Sequence, residues 1–346
     1  MDWAEGLVSL PGKQLEEWRS RTWETVLKFV RKERDQKPIQ FFLSYLYPRQ
    51  IDVGAIAELQ RIGVPCVNFF CDNVREFHKM PVEYRPFSLH WVPEFEALPL
   101  YRNAGLPHLH MPMPCWVPIE LRCVPAAETE APTFIGSADI LRRDLLGRAV
   151  RAGADLVIRG TGWTPTSDSL NSEVPTRRLG AILRNQMAFV RTHGLAGFCR
   201  KIENHFIHLD PPTISENTLM PQVSRDEYVR ITREAIVAIG INRVPATRVS
   251  NRHPLTYSRL RDIEAPMLGA CYLTEWTAGL GELYELGKEI ESYRTPEELQ
   301  FKIDELKKDG PRRKIMRQRA QRRALADHTA VRSLIRIGER LGAKSA

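Results

Sequence analysis

Arg261 and Glu264 are the residue pair with the clearest chemical potential, an arginine and a glutamate three positions apart within residues 258–275. On a helix, this spacing places the two side chains about one turn apart on the same side. A guanidinium suits phosphate recognition, and a carboxylate accepts hydrogen bonds from sugar hydroxyls. The same pair also fits an ordinary ion pair on a helix surface, which contributes little to stability. Spacing alone favours the surface ion pair.

A small-residue turn, Gly136-Ser137, lies between an apolar run and a helical pattern. Glycine lets the backbone approach a phosphate closely, and the first turn of a helix offers free amides and a positive dipole end. Arg142 and Arg143 follow about a turn later and can add charge-assisted contacts. The chain has neither a Walker-type glycine loop with lysine nor a dinucleotide glycine fingerprint, which disfavours ATPase and dehydrogenase functions.

Asp72 ends an apolar segment at residues 65–72 that has the composition of a buried strand. Ligands of parallel sheets bind at the carboxyl ends of the strands, so Asp72 is our candidate for a catalytic base. An aspartate that caps the next helix fits the sequence equally well. The neighbouring Cys71 is interpreted as a buried strand end and not as a nucleophile.

Metal and nucleophile signatures are otherwise missing from the sequence. His108 and His110 share one side of a predicted strand, but no third ligand is nearby, so we interpret them as structural. The six cysteines have no metal-type spacing and are expected to stay reduced. No Gly-x-Ser-x-Gly elbow occurs, which disfavours a serine hydrolase.

The elements that must position these residues alternate between strands and helices, a pattern typical of a parallel sheet covered on both faces. A helix is predicted at residues 260–268, ended by Gly269 and followed by a strand at 270–273. An earlier helix is predicted to run from Tyr228 to Ile239 and to stop at Gly240. Thr295 is the predicted cap of a helix with proline in first position and a glutamate three residues later. The other predicted strands are 39–44, 65–72, 87–92, 108–112, 133–137, 155–160, 241–244 and 289–293.

The 346 residues suffice for two domains at about 150 residues each. Five prolines between positions 111 and 132 predict a linker. We therefore divide the chain into an N-terminal domain at 1–118, a linker at 119–132, a C-terminal domain at 133–325 and a C-terminal helix at 326–346. A helical insertion at 164–222 interrupts the second domain and is interpreted as a lid, an acceptor surface or a contact in an oligomer.

The net charge of +8 predicts anionic partners, and much of it lies between residues 307 and 323. These basic residues fit the solvated face of a helix, and contact with an anionic membrane surface is the best functional interpretation of them. Nucleic acid is not expected as a partner, because aromatic residues do not interleave with the cations. Without a run of about eighteen apolar residues or a secretion signal, we expect a cytoplasmic protein, peripheral at most on the inner membrane.

A series of short motifs covers nearly all of the second half except the insertion, and the first half contributes a match from Gly63 to Asp72. The motifs are Phe134-Ile135-Gly136-Ser137 before an arginine, Arg159-Gly160-Thr161-Gly162-Trp163, Ser258-x-x-Arg261-x-x-Glu264 with Gly269 and Thr274-Glu275, Gly287-Lys288-Glu289-Ile290-x-x-Tyr293, Glu297-Glu298-Leu299, and Asp327-His328-Thr329 with Arg332. In this order they resemble the CgeB-type spore-maturation glycosyltransferases, nucleotide-sugar-dependent transferases.

The resemblance implies an α/β chain with two Rossmann-like domains, the GT-B type, in which the C-terminal domain holds a nucleotide-sugar donor. Glu264 then corresponds to a glutamate that binds the ribose hydroxyls of the donor. The resemblance places Gly136, Ser137 and Arg142 or Arg143 near the diphosphate, with Arg261 helping to neutralise it. It makes Trp163 and Tyr257 candidates for the wall around the base or the ribose. Gly160, Gly162 and Glu275 are further donor-side candidates because they belong to the matched motifs. Arginines and helix dipoles would stabilise the leaving diphosphate, so no metal and no cofactor is expected, in agreement with the lack of an Asp-x-Asp pair.

The chain departs from the family in its first half, where the first predicted strand begins only near Ile39. The N-terminal domain is therefore expected to be abbreviated. Two functions remain open: transfer of a sugar to an unidentified acceptor (a glycan, a protein or a small molecule), or a degenerate, non-catalytic GT-B module that binds a nucleotide or a partner protein. The sequence does not choose the donor base, the sugar or the stereochemical course.

Overall fold

The structure is a computed structural model that describes residues 12–163, 210–246, 249 and 253–342. The described chain forms two compact units. The N-terminal unit contains the residues up to Pro114 together with those from His328 onward, and the C-terminal unit runs from Cys115 to Asp327.

The N-terminal unit is built on four parallel strands that pair in chain order, β1-β2-β3-β4. They lie at the four predicted positions and each has fewer residues than predicted, although β1 ends one residue beyond the predicted strand. The elements are α1 (Gly12–Arg34), β1 (Phe42–Tyr45), α2 (Val53–Arg61), β2 (Cys66–Phe69), α3 (Asn73–Glu76), β3 (Leu89–Val92), α4 (Leu98–Asn103) and β4 (His108–His110).

The last described helix, α11 (Ala330–Arg340), also belongs to this unit. Its Ile337 packs with Val67, Phe69 and Trp91 from one face of the sheet. Alternation along β2 and β3 sends these side chains to a common face. Burial of this apolar surface stabilises the unit and holds α11 on the sheet.

The C-terminal unit contains a six-stranded parallel sheet in the order β12-β11-β8-β5-β6-β7. Its elements are β5 (Thr133–Ile135), α5 (Ile140–Arg151), β6 (Val157–Arg159), β7 (Leu219–Met220), α6 (Arg225–Glu234), β8 (Ala238–Gly240), β9 (Arg243–Val244), β10 (Leu255–Thr256), α7 (Leu260–Met267), β11 (Tyr272–Glu275), α8 (Leu280–Leu283), β12 (Glu291–Tyr293), α9 (Pro296–Lys308) and α10 (Gly310–Asp327).

The strand order of this sheet reverses beside β5. From β5 the chain moves outward through β6 to β7, and it then returns to the opposite side of β5 at β8. In open parallel sheets, such a reversal opens a crevice at the carboxyl ends of the two central strands, and ligands bind there. We therefore expect a ligand site at the residues that follow β5.

The predicted helix from Tyr228 to Ile239 is wrong at its C-terminal end. Helix α6 ends at Glu234, and Ala238–Gly240 is β8, the strand between β5 and β11. Residues 236–241 are a continuous apolar run, which a central strand buries on both faces as readily as a helix does. Of the strand predicted at 241–244, only Arg243–Val244 is extended, and it pairs antiparallel with β10 outside the main sheet.

The opening prediction for residues 258–275 is confirmed. Helix α7 covers Leu260–Met267, Gly269 has a positive φ of 80°, and a fully buried strand, β11, follows two residues later than predicted. The cap at Thr295 is also confirmed, since its hydroxyl accepts a hydrogen bond from the backbone N–H of Glu298 at 3.1 Å.

The insertion predicted at 164–222 lies mostly outside the described residues, and the oligomer contact predicted for it lies there too. Its described part, 210–222, includes β7, which pairs with β6 and so belongs to the sheet. The predicted linker is counted in the C-terminal unit. There Glu128 accepts hydrogen bonds from Arg313 at 3.0 Å and from Arg317 at 3.1 Å.

Part of the basic run at 307–323 forms ion pairs inside the C-terminal unit. Arg313 and Arg317 are buried against Glu128, Arg312 pairs with Glu291, and Lys307 pairs with Asp155. These cations thus serve the fold, which leaves a smaller exposed set for the predicted membrane contact. No helix in the described part of the chain is long and apolar enough to cross a membrane.

Candidate donor site

The candidate site begins at the turn after β5, where two glycine-containing turns meet. The backbone N–H of Gly136 donates to the carbonyl of Arg159, and that of Ala138 donates to the carbonyl of Thr161, both at 2.8 Å. Gly160 has a φ of +141°, and a Cβ at this position would collide with the backbone of Gly136. Only glycine therefore allows the turns after β5 and β6 to approach this closely.

Helix α5 starts beside this turn and positions Arg142. The Asp139 carboxylate caps the helix by accepting from the backbone N–H groups of Leu141 and Arg142, both at 2.9 Å. The Arg142 guanidinium reaches back, and its Nη1 donates to the carbonyl of Ser137 at 2.9 Å and to the hydroxyl of Ser137 at 3.3 Å. The predicted residues Gly136, Ser137 and Arg142 thus lie together.

Arg261 and Glu264 both contact Tyr228, a residue of α6 that was predicted only as the start of a helix. The Tyr228 hydroxyl donates to the Glu264 carboxylate, and the Arg261 guanidinium lies 5.3 Å from the centre of the Tyr228 ring. Burial raises the pKa of Tyr228 to about 12, so this phenol remains a hydrogen-bond donor at neutral pH. Arg261 also donates to the carbonyl of Ile135 at the end of β5. Arg261 and Glu264 thus meet at Tyr228 and are partly buried, unlike a solvated ion pair on a helix surface.

The guanidinium groups of Arg142 and Arg261 both reach the end of β5, where they donate to the carbonyls of Ser137 and Ile135. Arg142 also pairs with the Asp139 carboxylate at 3.3 Å. Burial lowers the pKa of Arg142, and the positive charges of Arg259 and Arg261 lower it further, while Asp139 acts in the opposite direction. Clustering of like charges in a partly buried place costs free energy unless an anion compensates it. The arrangement is that of a site for a strongly anionic group such as a diphosphate.

A cavity of ≈ 250 Å³ opens beside this cluster. Hydroxyl groups, an amide and a cation give its wall a polar part, while Ile135, Val223 and Tyr228 give it an apolar part. The lining residues are Ile135, Gly136, Ser137, Gly160, Thr161, Gln222, Val223, Ser224, Arg225 and Tyr228. A mixed wall of this kind suits a group with both apolar faces and polar edges, such as a nucleobase or a ribose.

The segment 222–225 enters this wall because a capping box starts α6 there. The Ser224 hydroxyl accepts from the backbone N–H of Glu227 at 3.3 Å, and the Glu227 carboxylate accepts from the backbone N–H of Ser224 at 2.9 Å. Ser-x-x-Glu before a helical pattern is a signal that could have located this turn from the sequence. Nothing in the local pattern marks Arg259 or Tyr228 as site residues.

A buried polar network fixes the start of α7 behind the site. The Asp262 carboxylate accepts from the hydroxyls of Tyr272 and Thr274 at 2.8 Å and 2.9 Å and from the amide of Asn242 at 3.0 Å. It also accepts from the backbone N–H of Arg259 at 3.2 Å. Burial raises the pKa of Asp262, yet these four donors hold its carboxyl group in one position. The network sets the direction in which Arg261 and Glu264 leave the helix.

Trp163 and Tyr257 do not fit the predicted role of a wall for the base or the ribose. Trp163 is only 3% exposed, packs in the hydrophobic core of the C-terminal unit and donates from its indole N–H to the carbonyl of Gly136 at 2.7 Å. Tyr257 is only 2% exposed. Aromatic residues next to glycine turns fit a core and a ligand wall equally well in the sequence, and burial decides between them. Trp163 supports the turn from behind.

Glu275 and Arg143 also have structural roles. Glu275 is 3% exposed, and its carboxylate pairs with Arg243 at 2.6 Å and accepts from the backbone N–H of Asn242 at 3.1 Å. The Arg143 guanidinium donates to the carbonyls of Gly162 and Trp163, and thereby holds the turn after β6. Gly162 contributes a positive φ of 76° to the same turn.

In the N-terminal unit, Asp72 follows β2 in the left-handed conformation with a φ of 74°. Among the described residues other than glycine, Asp72 alone has a positive φ. It occupies the position before α3, but its side chain makes no capping hydrogen bond. A non-glycine residue in this region stores strain, and such strain is common at functional sites. Asp72 thus remains the candidate base of the sequence analysis.

The described residues contain no group of three or more His, Cys, Asp or Glu side chains that could hold a metal ion. His108 and His110 lie on β4. The His108 ring forms a hydrogen bond through Nδ1 with the carbonyl of Leu106 at 2.7 Å, and its centre lies 5.7 Å from that of Tyr101. The centre of the His110 ring lies 5.7 Å from that of Phe95.

Comparison with known proteins identifies the fold. Residues 209–337 match the profile of a family described as "Glycosyl transferase-like". No curated protein sequence matches the chain. A glycosyltransferase from Rickettsia africae superposes with a TM-score of 0.58 and 9% identity over 98% of this chain and 85% of that one.

Two further solved structures are similar over most of their length. HepE of Anabaena, solved in complex with UDP, has a TM-score of 0.57 and 12% identity over 94% of this chain and 82% of its own. Sucrose-phosphate synthase of Thermosynechococcus elongatus has a TM-score of 0.53 and 14% identity over 98% and 82%. The predicted α/β fold with two Rossmann-like domains of the GT-B type is confirmed.

Proposed function

We propose that this chain is a metal-independent glycosyltransferase that moves a sugar from a nucleoside-diphosphate sugar to an acceptor hydroxyl. The observation that carries the proposal is that the guanidinium groups of Arg142 and Arg261 both reach the carboxyl end of β5, beside a cavity of ≈ 250 Å³. A sugar donor of this class combines a diphosphate, a ribose and a base. The family profile over residues 209–337 supports the same reaction class.

A uridine donor is our choice of nucleotide. The structural neighbour HepE was solved with UDP and, in another structure, with UDP-glucose, at TM-scores of 0.57 and 0.54. Within the glycosyltransferases, we assign the chain to the CgeB-type group on the motifs around Gly136, Gly160 and Glu264. Cytoplasmic localisation, with peripheral contact to an anionic membrane, remains part of this proposal.

In this function, Glu264 accepts hydrogen bonds from the ribose hydroxyls, and Tyr228 fixes the orientation of its carboxylate. The arginines and the first turn of α5 neutralise the diphosphate as it leaves. Charge on the leaving diphosphate grows in the transition state, so donors that are already in place lower the barrier without further reorganisation. The guanidinium groups thus supply the charge stabilisation that a metal ion gives in other transferases.

Asp72 is proposed as the general base. The acceptor oxygen forms a bond to the anomeric carbon while the bond from that carbon to the diphosphate oxygen breaks. The proton of the acceptor hydroxyl passes to the Asp72 carboxylate, and the electron pair of the broken bond leaves with the nucleoside diphosphate. Proton transfer of this kind typically contributes about 10²–10⁴-fold to the rate.

The alternative is a GT-B module that binds a nucleotide or a partner protein without turnover. The observation that favours it is the short N-terminal sheet of four strands among the described residues. The alternative keeps the donor site and removes the need for a base. It predicts nucleotide binding without release of sugar.

Turnover of UDP-sugars tests the proposal against this alternative. We would incubate the protein with UDP-glucose, UDP-galactose and UDP-N-acetylglucosamine, with and without simple glycosides, and measure released UDP. The proposal expects release that Glu264→Ala reduces strongly, with Glu282→Ala, at an exposed glutamate of α8, as the control. If the wild-type protein binds UDP but releases none from any donor, the non-catalytic module is favoured. If it neither binds UDP nor releases it, the donor site is contradicted.

A further inference from the structure

Two tyrosines and an aspartate cluster at the carboxyl ends of β1 and β2 in the N-terminal unit. Tyr45 is the last residue of β1 and is 44% exposed. Its ring centre lies 6.2 Å from that of Tyr47, and its hydroxyl lies 3.4 Å from the sulfur of Cys71. We call Tyr45, Tyr47 and Asp72 the tyrosine–aspartate cluster.

Buried aromatic rings support the cluster from behind. The ring of Tyr47 stands edge-on to Phe70 at 4.9 Å, and the ring of Tyr45 packs against Phe69 at 5.4 Å. Phe69 and Phe70 are both buried. Rings that pack on buried neighbours lose little further freedom when a ligand binds, which makes them efficient contact surfaces.

The charge beside these rings is negative. Asp72 directly follows Cys71, whose sulfur lies 3.4 Å from the Tyr45 hydroxyl, and Glu76 ends α3 four residues later. Burial raises the pKa of Tyr47, and the negative charges of Glu76 and Asp72 raise it further. Arg75 approaches Glu76 only to 3.9 Å and is itself exposed. An anionic ligand would be repelled here, whereas a neutral ligand with several hydroxyl groups would find carboxylate acceptors and phenol donors.

A buried carboxyl group holds Asp72 in position. Glu94 accepts from the backbone N–H of Val74 at 3.2 Å through one oxygen, and its other oxygen is buried without a hydrogen-bond partner. Its contact fixes the turn in which Asp72 has its positive φ. The backbone conformation of Asp72 is thus set by the fold before any ligand binds.

From this geometry, we propose that the tyrosine–aspartate cluster is a binding subsite for a neutral pyranose ring, and so that the acceptor is a carbohydrate. The C–H face of a pyranose packs on aromatic rings, and its hydroxyls bond to the carboxylate and phenol groups. This inference rests on the proposed transferase function, because only a transferase has an acceptor. The binding of a sugar to this unit can be measured without donor or turnover.

Saturation-transfer NMR on the full chain tests the subsite directly. The probes are the methyl glycosides of glucose, galactose and N-acetylglucosamine, each added without nucleotide. We expect signal from at least one probe in the wild type and a loss of at least about fivefold in Tyr45→Ala. Tyr45→Phe keeps the ring and should retain most of the signal, and Phe29→Ala, at an aromatic residue of α1 that is 62% exposed, should leave it unchanged.

Three results would overturn the proposal: no probe binds the wild type, Tyr45→Ala binds as the wild type does, or tetramethylammonium binds at the cluster while the glycosides do not. The last result would identify a cation site instead. Folding of each variant is checked by its melting temperature, and Tyr45→Phe provides the comparison if Tyr45→Ala is unstable. A UDP melting shift is measured in parallel, so that loss of UDP binding with retained glycoside binding would contradict the transferase function alone.

Discussion

In the C-terminal unit the strand order reverses beside β5, whereas the four described strands of the N-terminal unit follow one another in chain order. The reversal places the turns after β5 and β6 and helices α5 and α7 around one point, and guanidinium groups converge there. In the N-terminal unit, functional groups instead gather at the ends of β1 and β2, and they are aromatic and anionic. The two sites that we propose thus differ in charge: the cationic one is assigned to a diphosphate, and the anionic one to a neutral polyol.

The largest expected effect is that of Asp72→Asn, which should slow sugar transfer without changing donor binding. Asp72→Asn keeps a side chain that tolerates the left-handed conformation but cannot accept a proton. We expect the rate of UDP release in the presence of an acceptor to fall by about 10²–10⁴-fold, with the Kd for UDP unchanged. Steady-state kinetics and calorimetry measure the two quantities. If Asp72→Asn retained the wild-type rate, the assignment of the base to this unit would be wrong.

The next effect concerns the cationic side of the comparison. Arg142→Gln combined with Arg261→Gln removes two guanidinium groups from the end of β5. A hydrogen bond to a charged group contributes about 1.5–3 kcal/mol, so we expect the Kd for UDP to rise by about 100-fold or more. Arg148→Gln is the matched control, since this arginine also lies on α5 but pairs with Asp144. Equal UDP affinity in the double variant and the control would exclude the cluster as the diphosphate site.

A pH effect distinguishes the N-terminal unit. Burial raises the pKa of Glu94 from an ordinary value of 4.5 to about 8. The folded state therefore holds this proton more tightly than the unfolded chain, and the resulting stability is complete below pH 4.5 and is lost as the pH rises through 8. The slope cannot exceed about 1.4 kcal/mol per pH unit for one group.

Glu94→Gln should remove this dependence. We expect the melting temperature of the wild type to decrease relative to that of Glu94→Gln between pH 5 and pH 8, roughly the span between the two pKa values. Glu76→Gln, an exposed carboxylate in the same segment, serves as the control and should follow the wild type. A constant difference between wild type and Glu94→Gln across this range would show that Glu94 does not titrate there.

The smallest effect refines the boundary of the donor site. Arg143 follows Arg142 directly, but its guanidinium holds the turn at Gly162 and Trp163. We therefore expect Arg143→Gln to change the Kd for UDP by no more than about threefold, in the range of substitutions away from a binding contact. A loss of UDP affinity as large as that of the Arg142→Gln/Arg261→Gln variant would instead assign Arg143 to the diphosphate site.

Local signals explain what could be predicted from the sequence. The turn at Gly269, the cap at Thr295 and the apolar spacing of α7 depend on neighbours within a few residues, and the structure confirms them. The apolar run at 236–241 was wrongly predicted as the end of a helix, because a buried strand and a buried helix have similar compositions. Packing between distant elements decided its conformation.

The site could be predicted only in part for the same reason. Gly136, Ser137, Arg142, Arg261 and Glu264 come from short motifs, and the structure brings them together. Tyr228 reaches Glu264 from 36 positions away. The burial of Trp163 depends on a core that no local spacing reveals.

Calorimetric titration of the wild-type chain with UDP tests the central claim most directly, since it examines the convergence of arginines beside β5 without any assumption about the acceptor. The account predicts binding that weakens by about 100-fold or more in the Arg142→Gln/Arg261→Gln variant and remains unchanged in Arg148→Gln. ADP and GDP are titrated in parallel to identify the base. Absence of binding for all three nucleoside diphosphates would contradict the account.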